Sequence, residues 1–269
     1  MEVTLLGTGA ADGWPNPWCG CPSCADARGR GEQRQPTSTL VDGVLLLDLA
    51  PGVPPGGISL ERVHTVLVTH DHPDHCAPLG LLARQWVRRA EPLTVVGPGP
   101  AVEACRPWVG PQDPVEFIEV GAGRTVQCGG YRIRTLAADH DVPTVLYDVT
   151  GPDGGRLLYA TDTGPLPETT VAACRDADFD VVLLEETFGD LSDHRTRHLD
   201  LVTFGRQLRR LRSVGAVTHA TDVVAVHLSH HNPPEAALSR RLADHGARVV
   251  PDGTSLPCGG EGAVSRRGA

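Results

Sequence analysis

The sequence contains no lysine, so all 24 of its basic residues are arginines. This excludes mechanisms that need a catalytic lysine, such as a Schiff base or the phosphate-binding lysine of a Walker motif. Aromatic residues make up only 4% of the 269 residues, so the core must consist mainly of valine, leucine and alanine. No apolar run approaches the about 18 residues of a membrane span, and no signal peptide is recognisable. We therefore expect a cytoplasmic globular protein without membrane contact.

The formal net charge is −9 at pH 7. Proteins that grip long stretches of nucleic-acid backbone usually carry the opposite charge balance. Long nucleic acid is therefore not an expected partner, and a small-molecule substrate is favoured. Whether the chain forms a homodimer stays open.

The order of elements indicates an α/β protein. Residues 14–36 are rich in Pro, Gly and Cys, and we expect no regular element there. Strands and helices otherwise intersperse without a Gly-rich linker, which predicts a single domain over residues 1–269 with more than one sheet. Strands are predicted at Val3–Leu6, Leu40–Leu49, Thr65–Thr69, Leu93–Val96, Val115–Val120, Tyr131–Leu136, Thr144–Val149, Arg156–Thr161, Asp180–Glu185 and Val223–Leu228. Helices are predicted at Ala77–Arg89, Val102–Val109, Glu168–Cys174, Leu199–Arg212 and Pro234–His245.

One segment combines an apolar strand with a turn rich in metal-ligating residues: Val66-Leu-Val-Thr-His70-Asp-His72-Pro-Asp74-His75. Its pattern is H-x-H-x-D-H. His70 and His72 can chelate one ion, whereas Asp74 and His75 can reach a second. The pattern therefore predicts a binuclear metal site at a strand end; the alternative is a solvated polar loop.

Three later residues can complete two coordination shells. They are His140, Asp162 and His227, and each lies where a predicted strand ends. Taken singly, each is more often an ordinary residue than a ligand. Their shared position at strand ends, where α/β proteins tend to build sites, supports a common function.

The order of these segments resembles the metallo-β-lactamase superfamily. The opening Leu5-Leu-Gly-Thr-Gly-Ala10 is similar to the first strand and turn of its tRNA 3′-processing ribonuclease (tRNase Z-like) branch. Cys19-Gly-Cys21-Pro-Ser-Cys24, together with His230, is similar to the phosphonate-pathway cyclic phosphodiesterases, which hydrolyse 5-phosphoribosyl 1,2-cyclic phosphate. The resemblance implies an αββα sandwich of two mixed sheets flanked by helices. It also implies a binuclear metal-dependent phosphodiesterase that acts on small diesters, including cyclic ones.

The resemblance also implies the ligand sets. His70, His72 and His140 would hold one ion, Asp74, His75 and His227 would hold the other, and Asp162 would bridge them. A hydroxide between two metals about 3.5–4 Å apart is a nucleophile at neutral pH. Zinc and manganese both suit these nitrogen and oxygen donors, and the sequence does not choose between them.

The cysteine loop at residues 14–36 is predicted to bind a structural zinc. Cys19, Cys21 and Cys24 supply three thiolates, and an imidazole would complete a tetrahedral site without an open position. The resemblance points to His230, but His231 is adjacent and stays an alternative. The alternative interpretation is a reactive or merely incidental cysteine cluster. The other cysteines are interpreted as ordinary small residues.

A proton donor is expected in Arg197-His198-Leu-Asp200, which resembles the family's catalytic-histidine motif. We predict His198 as the general acid, with His194 as the alternative. Glu185 would orient His198 and raise its pKa, unless Glu186 does so instead. Asp74 is counted with His198 and Glu185 among the catalytic residues, and Asp200 is equally well explained as an acid at a helix start.

Several other functions fit the same fold. One is a biosynthetic protein that resembles pyrroloquinoline quinone biosynthesis protein B. Others are a tRNA 3′-processing nuclease and a lactone or thioester hydrolase, because this ligand set serves many substrates. A flavodiiron-type redox protein is a further alternative, but it should carry an acidic residue in place of His72. A non-enzymatic interaction module held together by zinc is another, and it should lack exchangeable metals at the second site.

Overall fold

Most of the leucine- and valine-rich runs form strands that are buried on both faces. The computed structural model describes residues 1–87, 92–193 and 197–259. The first mixed sheet has the order β13-β1-β2-β3-β4-β5-β6 and the second has the order β12-β11-β10-β9-β8-β7. The first sheet contains β1 (Glu2–Gly7), β2 (Ser38–Val41), β3 (Leu45–Leu47), β4 (Thr65–Leu67), β5 (Leu93–Gly97), β6 (Val115–Glu119) and β13 (Ser255–Pro257). The second contains β7 (Thr125–Cys128), β8 (Tyr131–Ala137), β9 (Val145–Thr150), β10 (Arg156–Ala160), β11 (Val181–Glu185) and β12 (Asp222–Val226).

Helices cover the outer faces of both sheets. They are α1 (Pro22–Arg30), α2 (Leu79–Gln85), α3 (Gly99–Cys105), α4 (Glu168–Ala173), α5 (Leu201–Ser213) and α6 (Glu235–Ala243), with short 3₁₀ helices at Pro55–Gly57 and Arg106–Trp108. Strand alternation separates the layers. Leu45 and Leu47 of β3 pack between the two sheets, while Leu46 packs on the outer face with Leu81 of α2. On the second sheet, α5 contributes Phe204 to the outer core. The predicted α/β fold, two mixed sheets flanked by helices, is confirmed.

Strand direction brings the sequence motifs to one edge of the sandwich. β10, β11 and β12 run parallel in the second sheet. The carboxyl ends of parallel strands meet at the same sheet edge, so the segments after these strands lie side by side. The segment after β4 of the first sheet meets them across the sandwich, where Nε2 of His75 is 2.9 Å from Oδ2 of Asp162.

The expectation that residues 14–36 form no regular element is wrong, because α1 lies inside them. Cys21 caps its start by accepting a hydrogen bond from the main-chain nitrogen of Cys24. Pro22 suits the first turn, whose amide groups need no helical partner. Gly31 ends the helix with a φ of 67°, a left-handed conformation that glycine adopts without strain.

The predicted strand Leu40–Leu49 is two strands joined by a tight turn. Asp42 and Gly43 have φ values of 51° and 71°. Such an Asp-Gly pair is the favoured connection of a β-hairpin, and it sends β3 back along β2. The hairpin places the residue after β3, Asp48, at the site edge.

Other differences concern short elements. β7 and β13 were not expected. The helix expected at Val102–Val109 begins earlier, as α3, and continues as the 3₁₀ helix that contains Pro107. Of the helix expected at Ala77–Arg89, residues 79–85 form α2, and residues 88 and 89 lie outside the described residues. No helix among the described residues is long and apolar enough to span a membrane.

Candidate metal centre

The turn after β4 carries four of the predicted ligands. Its backbone is held by hydrogen bonds from the amides of His75 and Cys76 to the carbonyl oxygen of His72, at 3.0 and 2.8 Å. The amide of Leu49 also donates to the carbonyl of His75 at 2.8 Å. His70 and His75 are completely buried. The turn is therefore fixed to the neighbouring segment, which holds its side chains in place.

A first group of ligand atoms gathers around two of these histidines. The donor atoms of His70, His72, His140 and Asp162 all lie within 4.8 Å of one another. Nε2 of His140 is 3.3 Å from Nδ1 of His72. Oδ1 of Asp162 is 3.8 Å from Nε2 of both His70 and His140. The four donors thus face a common point.

A second group consists of Asp74, His75 and His227, whose donor atoms also lie within 4.8 Å of one another. Oδ2 of Asp74 is 3.1 Å from Nε2 of His75 and 3.4 Å from Nε2 of His227. Asp162 joins this group through its other oxygen: Oδ2 is 2.9 Å from Nε2 of His75 and 3.3 Å from Nε2 of His227. The carboxylate of Asp162 therefore lies between the groups, with one oxygen toward each.

The donor set fits divalent metal ions. Zinc–nitrogen and zinc–oxygen bonds of about 2.0–2.1 Å in a tetrahedral shell imply ligand–ligand distances of roughly 3.4 Å, close to those observed. Nε2 of His70 is buried and has no hydrogen-bond partner among the described residues. Burial lowers the pKa of His70 to about 2, so its ring is neutral, which is the form that binds metal.

Backbone strain marks two of these residues. Asp162 and His227 have φ values of 54° and 56°, in the left-handed region that non-glycine residues seldom adopt. Strain of this kind persists only where surrounding contacts enforce it, and it tends to occur at functional sites. His227 directly follows β12 and Asp162 is the second residue after β10, so both lie at the ends of parallel strands.

Asp48 supports the cluster, although the sequence analysis did not identify it. Its Oδ2 lies 2.7 Å from Nδ1 of His75 and accepts the hydroxyl hydrogen of Tyr159 at 2.9 Å. A carboxylate partner of this kind fixes the ring orientation of a metal-binding histidine. The available signal was an acid directly after the leucine run of β3, in a chain position that would otherwise continue an apolar strand.

His198 lies next to the second group and pairs with Glu185. Its Nδ1 is 3.1 Å from Oε1 of Glu185, and its ring stacks on that of His227 with centroids 5.3 Å apart. Burial opposes the charged imidazolium, but the attraction of the Glu185 carboxylate outweighs this and raises the pKa of His198 to about 9. A ring nitrogen of His198 also lies within 4.8 Å of a carboxylate oxygen of Asp162 and a ring nitrogen of His227.

Glu185, and not Glu186, contacts His198 among the described residues. Strand alternation turns Glu186 the other way, where its carboxylate accepts a hydrogen bond from the amide of Gly189 at 2.9 Å. Asp200 caps the start of α5 by accepting from the amide of Thr203 at 2.7 Å, so it acts at the helix start. His194 lies outside the described residues.

The three clustered cysteines also lie together, with their sulfurs within 4.8 Å of one another. Each sulfur accepts a main-chain N–H group of the same loop: Cys19 from Cys21, Cys21 from Cys24, and Cys24 from Asn16, at 3.3–3.4 Å. Burial opposes ionisation of Cys21, but hydrogen bonds from Cys24 and Cys19 lower its pKa, whereas burial raises the pKa of Cys24 to about 11. The thiolate is the form that binds zinc.

The ring of His230, the predicted fourth ligand, does not group with the three sulfurs. The main-chain oxygen of His230 is 3.8 Å from the sulfur of Cys21. The ring of His230, however, is hydrogen-bonded through Nδ1 to Asp12, and it groups with Asp12 and His231. Among the described residues, the ring of neither histidine belongs to the group that the three sulfurs form.

Comparisons with known proteins agree with this geometry. Residues 39–228 match the family described as Beta-lactamase superfamily domain. A Ribonuclease Z of Mycobacterium bovis (strain BCG / Pasteur 1173P2) is 28% identical over 261 residues, covering 87% of this chain and 86% of that protein. The solved structure of Zn(2+)-bound PqqB from Methylobacterium extorquens has a TM-score of 0.76 at 21% identity, covering 96% of this chain and 100% of that one. A diphosphatase of the PhnP family has a TM-score of 0.74 at 18% identity, covering 95% and 97%.

These comparisons bear on the whole site. The family match includes all seven residues of the two ligand groups, from His70 to His227. The two solved structures share the two-sheet fold over nearly the full chain. The chain therefore belongs to the metallo-β-lactamase superfamily, whose members are generally hydrolases.

Proposed function

We propose that the protein is a binuclear metal-dependent phosphodiesterase that hydrolyses a small phosphodiester, including cyclic ones. The observation that carries the proposal is the position of Asp162. Its two carboxylate oxygens face two separate sets of histidine and aspartate donors. Such a paired site suits displacement at phosphorus, where charge develops on both the attacking and the leaving oxygen.

The residues divide into two binding sets. His70, His72 and His140 would hold one divalent ion, Asp74, His75 and His227 the other, and Asp162 would contact both. When bound, two such ions activate water at neutral pH and neutralise charge on the phosphoryl oxygens. Zinc and manganese both suit these donors.

His198 supplies the proton that an alkoxide leaving group needs. Its Nδ1 pairs with Glu185, so Nε2 is the ring nitrogen left to donate. Glu185 also accepts from the amide of Leu199 at 3.0 Å, which ties the carboxylate to the backbone beside His198. Phe188 packs edge-on against the imidazole, with centroids 5.9 Å apart, and limits its movement. We therefore assign His198 as the general acid and Glu185 as the residue that orients it.

Charge at the cluster favours a small substrate. Asp141 is 67% exposed, and its Oδ1 lies 3.1 Å from Nε2 of His140 at the open side of the first group. Together with the net charge of −9, this carboxylate opposes the approach of a long polyanion. Two metal ions can still neutralise a single phosphate locally.

A tRNA 3′-processing nuclease is the second candidate. The observation that favours it is the 28% identity to a Ribonuclease Z over most of both chains. Its active site would use the same ligands, so the catalytic cluster does not separate the two candidates. The two candidates would differ in the residues that bind the substrate outside the metal cluster.

A substrate comparison tests the proposal. The zinc-loaded and manganese-loaded protein is assayed on a five-membered cyclic sugar phosphate, a linear alkyl phosphodiester, a lactone and a tRNA precursor. Asp162→Asn serves as the matched control for contaminating activity. Turnover of the small diesters with little trimming of the tRNA supports the proposal. Efficient trimming without turnover of small diesters would establish the second candidate, and turnover of the lactone alone would overturn both.

A further inference from the structure

Two buried threonines, Thr69 and Thr187, each contact both a carboxylate and a ligand histidine. The hydroxyl oxygen of Thr69 is 2.9 and 3.0 Å from the two oxygens of Asp48 and 3.0 Å from Nδ1 of His70. The first sheet thus supplies one chain of contacts, from Asp48 through Thr69 to His70.

The second sheet supplies a matching chain. The hydroxyl oxygen of Thr187 is 2.6 Å from Oε2 of Glu185 and 2.9 Å from Nδ1 of His227. Thr187 and His227 are 4% and 3% exposed, so water does not readily replace either contact. Each threonine therefore contacts one acid and one imidazole at the same time.

The direction of these hydrogen bonds follows from the number of available protons. A hydroxyl group has one hydrogen, and an ionised carboxylate can only accept. Thr69 and Thr187 therefore donate to Asp48 and Glu185. The remaining contact of each hydroxyl must be an accepted one, so the proton lies on Nδ1 of the histidine. Nε2 then carries a lone pair, and in His70 and His227 it is Nε2 that faces Asp162.

We propose that Thr69 and Thr187 are positioning residues that hold His70 and His227 in the Nδ1-protonated form, with Nε2 open to a divalent ion. In each half of the site, one carboxylate then fixes the orientation of two imidazoles. Asp48 orients His75 directly and His70 through Thr69. Glu185 orients His198 directly and His227 through Thr187. The inference rests on the metal chemistry of the proposed function but not on its substrate.

Removing a hydroxyl should weaken metal binding. Valine keeps the shape of threonine but leaves the buried Nδ1–H of the histidine without an acceptor, which is costly. The ring can avoid that cost by moving its proton to Nε2, where it blocks the ligand position. Loss of an outer partner of this kind typically costs about 10–100-fold in metal affinity.

The test measures zinc affinity in chelator-treated protein by calorimetric titration. Thr69→Val and Thr187→Val should each weaken one of the two cluster sites by about 10–100-fold, whereas Thr69→Ser and Thr187→Ser should keep the affinity. Thr39→Val is the matched control, because Thr39 is buried in β2 and its hydroxyl has no partner among the described residues.

The outcomes separate this inference from the proposed function. If wild-type protein binds two ions in the cluster but both valine variants bind as tightly as Thr39→Val, the positioning role is overturned and the metal site stands. If wild-type protein binds no ion in the cluster, both fail.

A second measurement does not depend on the variants folding. Long-range proton–nitrogen NMR correlations of the histidine rings in zinc-loaded wild-type protein report which ring nitrogen carries the proton. We expect Nδ1 protonation for His70 and His227. A proton on Nε2 of either ring would overturn the inference for its threonine.

Discussion

Glu185 pairs directly with His198: Oε1 of the glutamate lies 3.1 Å from Nδ1 of the imidazole. Its other oxygen accepts the hydroxyl hydrogen of Thr187 at 2.6 Å, and Thr187 contacts a ligand of the second group. One carboxylate thus contacts both the proposed proton donor and the support of a metal ligand. Perturbing Glu185 should therefore affect proton transfer and metal binding, whereas perturbing His198 should affect proton transfer alone.

His198→Ala should lower turnover by about 10²–10⁴-fold, as expected for removal of a general acid. Because His198 is outside the seven proposed ligands, the variant should keep both cluster metals. The loss should shrink for an aryl phosphodiester, whose leaving group needs no proton. Steady-state kinetics on an alkyl and an aryl diester, together with metal analysis, measure this.

Two results would change the role of His198. Equal losses on both substrates at full metal content would mean that the imidazole binds phosphate and does not act as the acid. Loss of metal would show that His198 is a ligand. This outcome needs testing because a ring nitrogen of His198 lies near the ligand atoms of Asp162 and His227. Glu185→Gln should give a milder loss on the alkyl diester, because the imidazole is still present but loses its charged partner, and it should also weaken metal binding through Thr187.

The protein should bind three metal ions per chain, one at the thiols and two in the histidine cluster. The two ligand sets differ in chemistry, since one consists of sulfur and the other contains none. Mild chelation should remove the cluster ions first, because thiolate sites without an open position hold zinc tightly. Elemental analysis before and after chelation checks the count. A stoichiometry of one, or loss of all metal together with the fold, would contradict two independent sites.

Cys21→Ser should lower the free energy of unfolding by an amount on the order of several kcal/mol, because a structural zinc contributes directly to folding. The ligands of the histidine cluster should be unaffected. Thermal melts and zinc analysis of the variant provide the measurement. Cys128→Ser is the matched control, since this half-buried thiol lies outside the cluster. An unchanged melting temperature and zinc content in Cys21→Ser would show that the cysteine cluster is incidental.

Glu186→Gln should make the protein more stable at alkaline pH. Burial raises the pKa of Glu186 to about 8 from the ordinary value of 4.5, although hydrogen bonds from Gly189 and Asn232 oppose the shift. Within this window the folded protein keeps a proton that the unfolded chain has lost. The free energy of unfolding therefore falls as pH rises from about 4.5 to about 8.

Glutamine does not ionise, so it removes this contribution. Its stabilising effect should be small at the acid end of the window and grow toward the alkaline end, reaching on the order of a few kcal/mol at most. Denaturant unfolding of both proteins across the window measures the difference. A difference that does not change with pH would show that folding does not raise the pKa of Glu186.

Local sequence patterns were sufficient for the parts of the site that lie on contiguous residues. The strand before His70 and the spacing of His70, His72, Asp74 and His75 are visible directly, because ligands in one turn leave a compact motif. His140, Asp162 and His227 required the further expectation that strand ends meet at one edge. The parallel pairing of β10, β11 and β12 supplies the physical reason.

Residues that are distant in sequence from the ligands they contact could not be found in this way. Thr187 and Asp48 touch ligand histidines that are 40 and 27 positions away in the chain. A threonine near a strand end has no distinctive pattern, since threonine is common there for its β propensity. The choice between Glu185 and Glu186 likewise depended on which face of β11 is turned toward the site, which alternation alone does not reveal.

Neither sheet contains a complete ligand group. The first group takes His70 and His72 from the turn of the first sheet, and its remaining members follow strands of the second; the second group is divided in the same way. Ions in the cluster would therefore act as cross-links between the two halves of the sandwich. They would bind the assembled state and not the separated sheets, so by mass action the supply of divalent metal would set how firmly the halves stay joined.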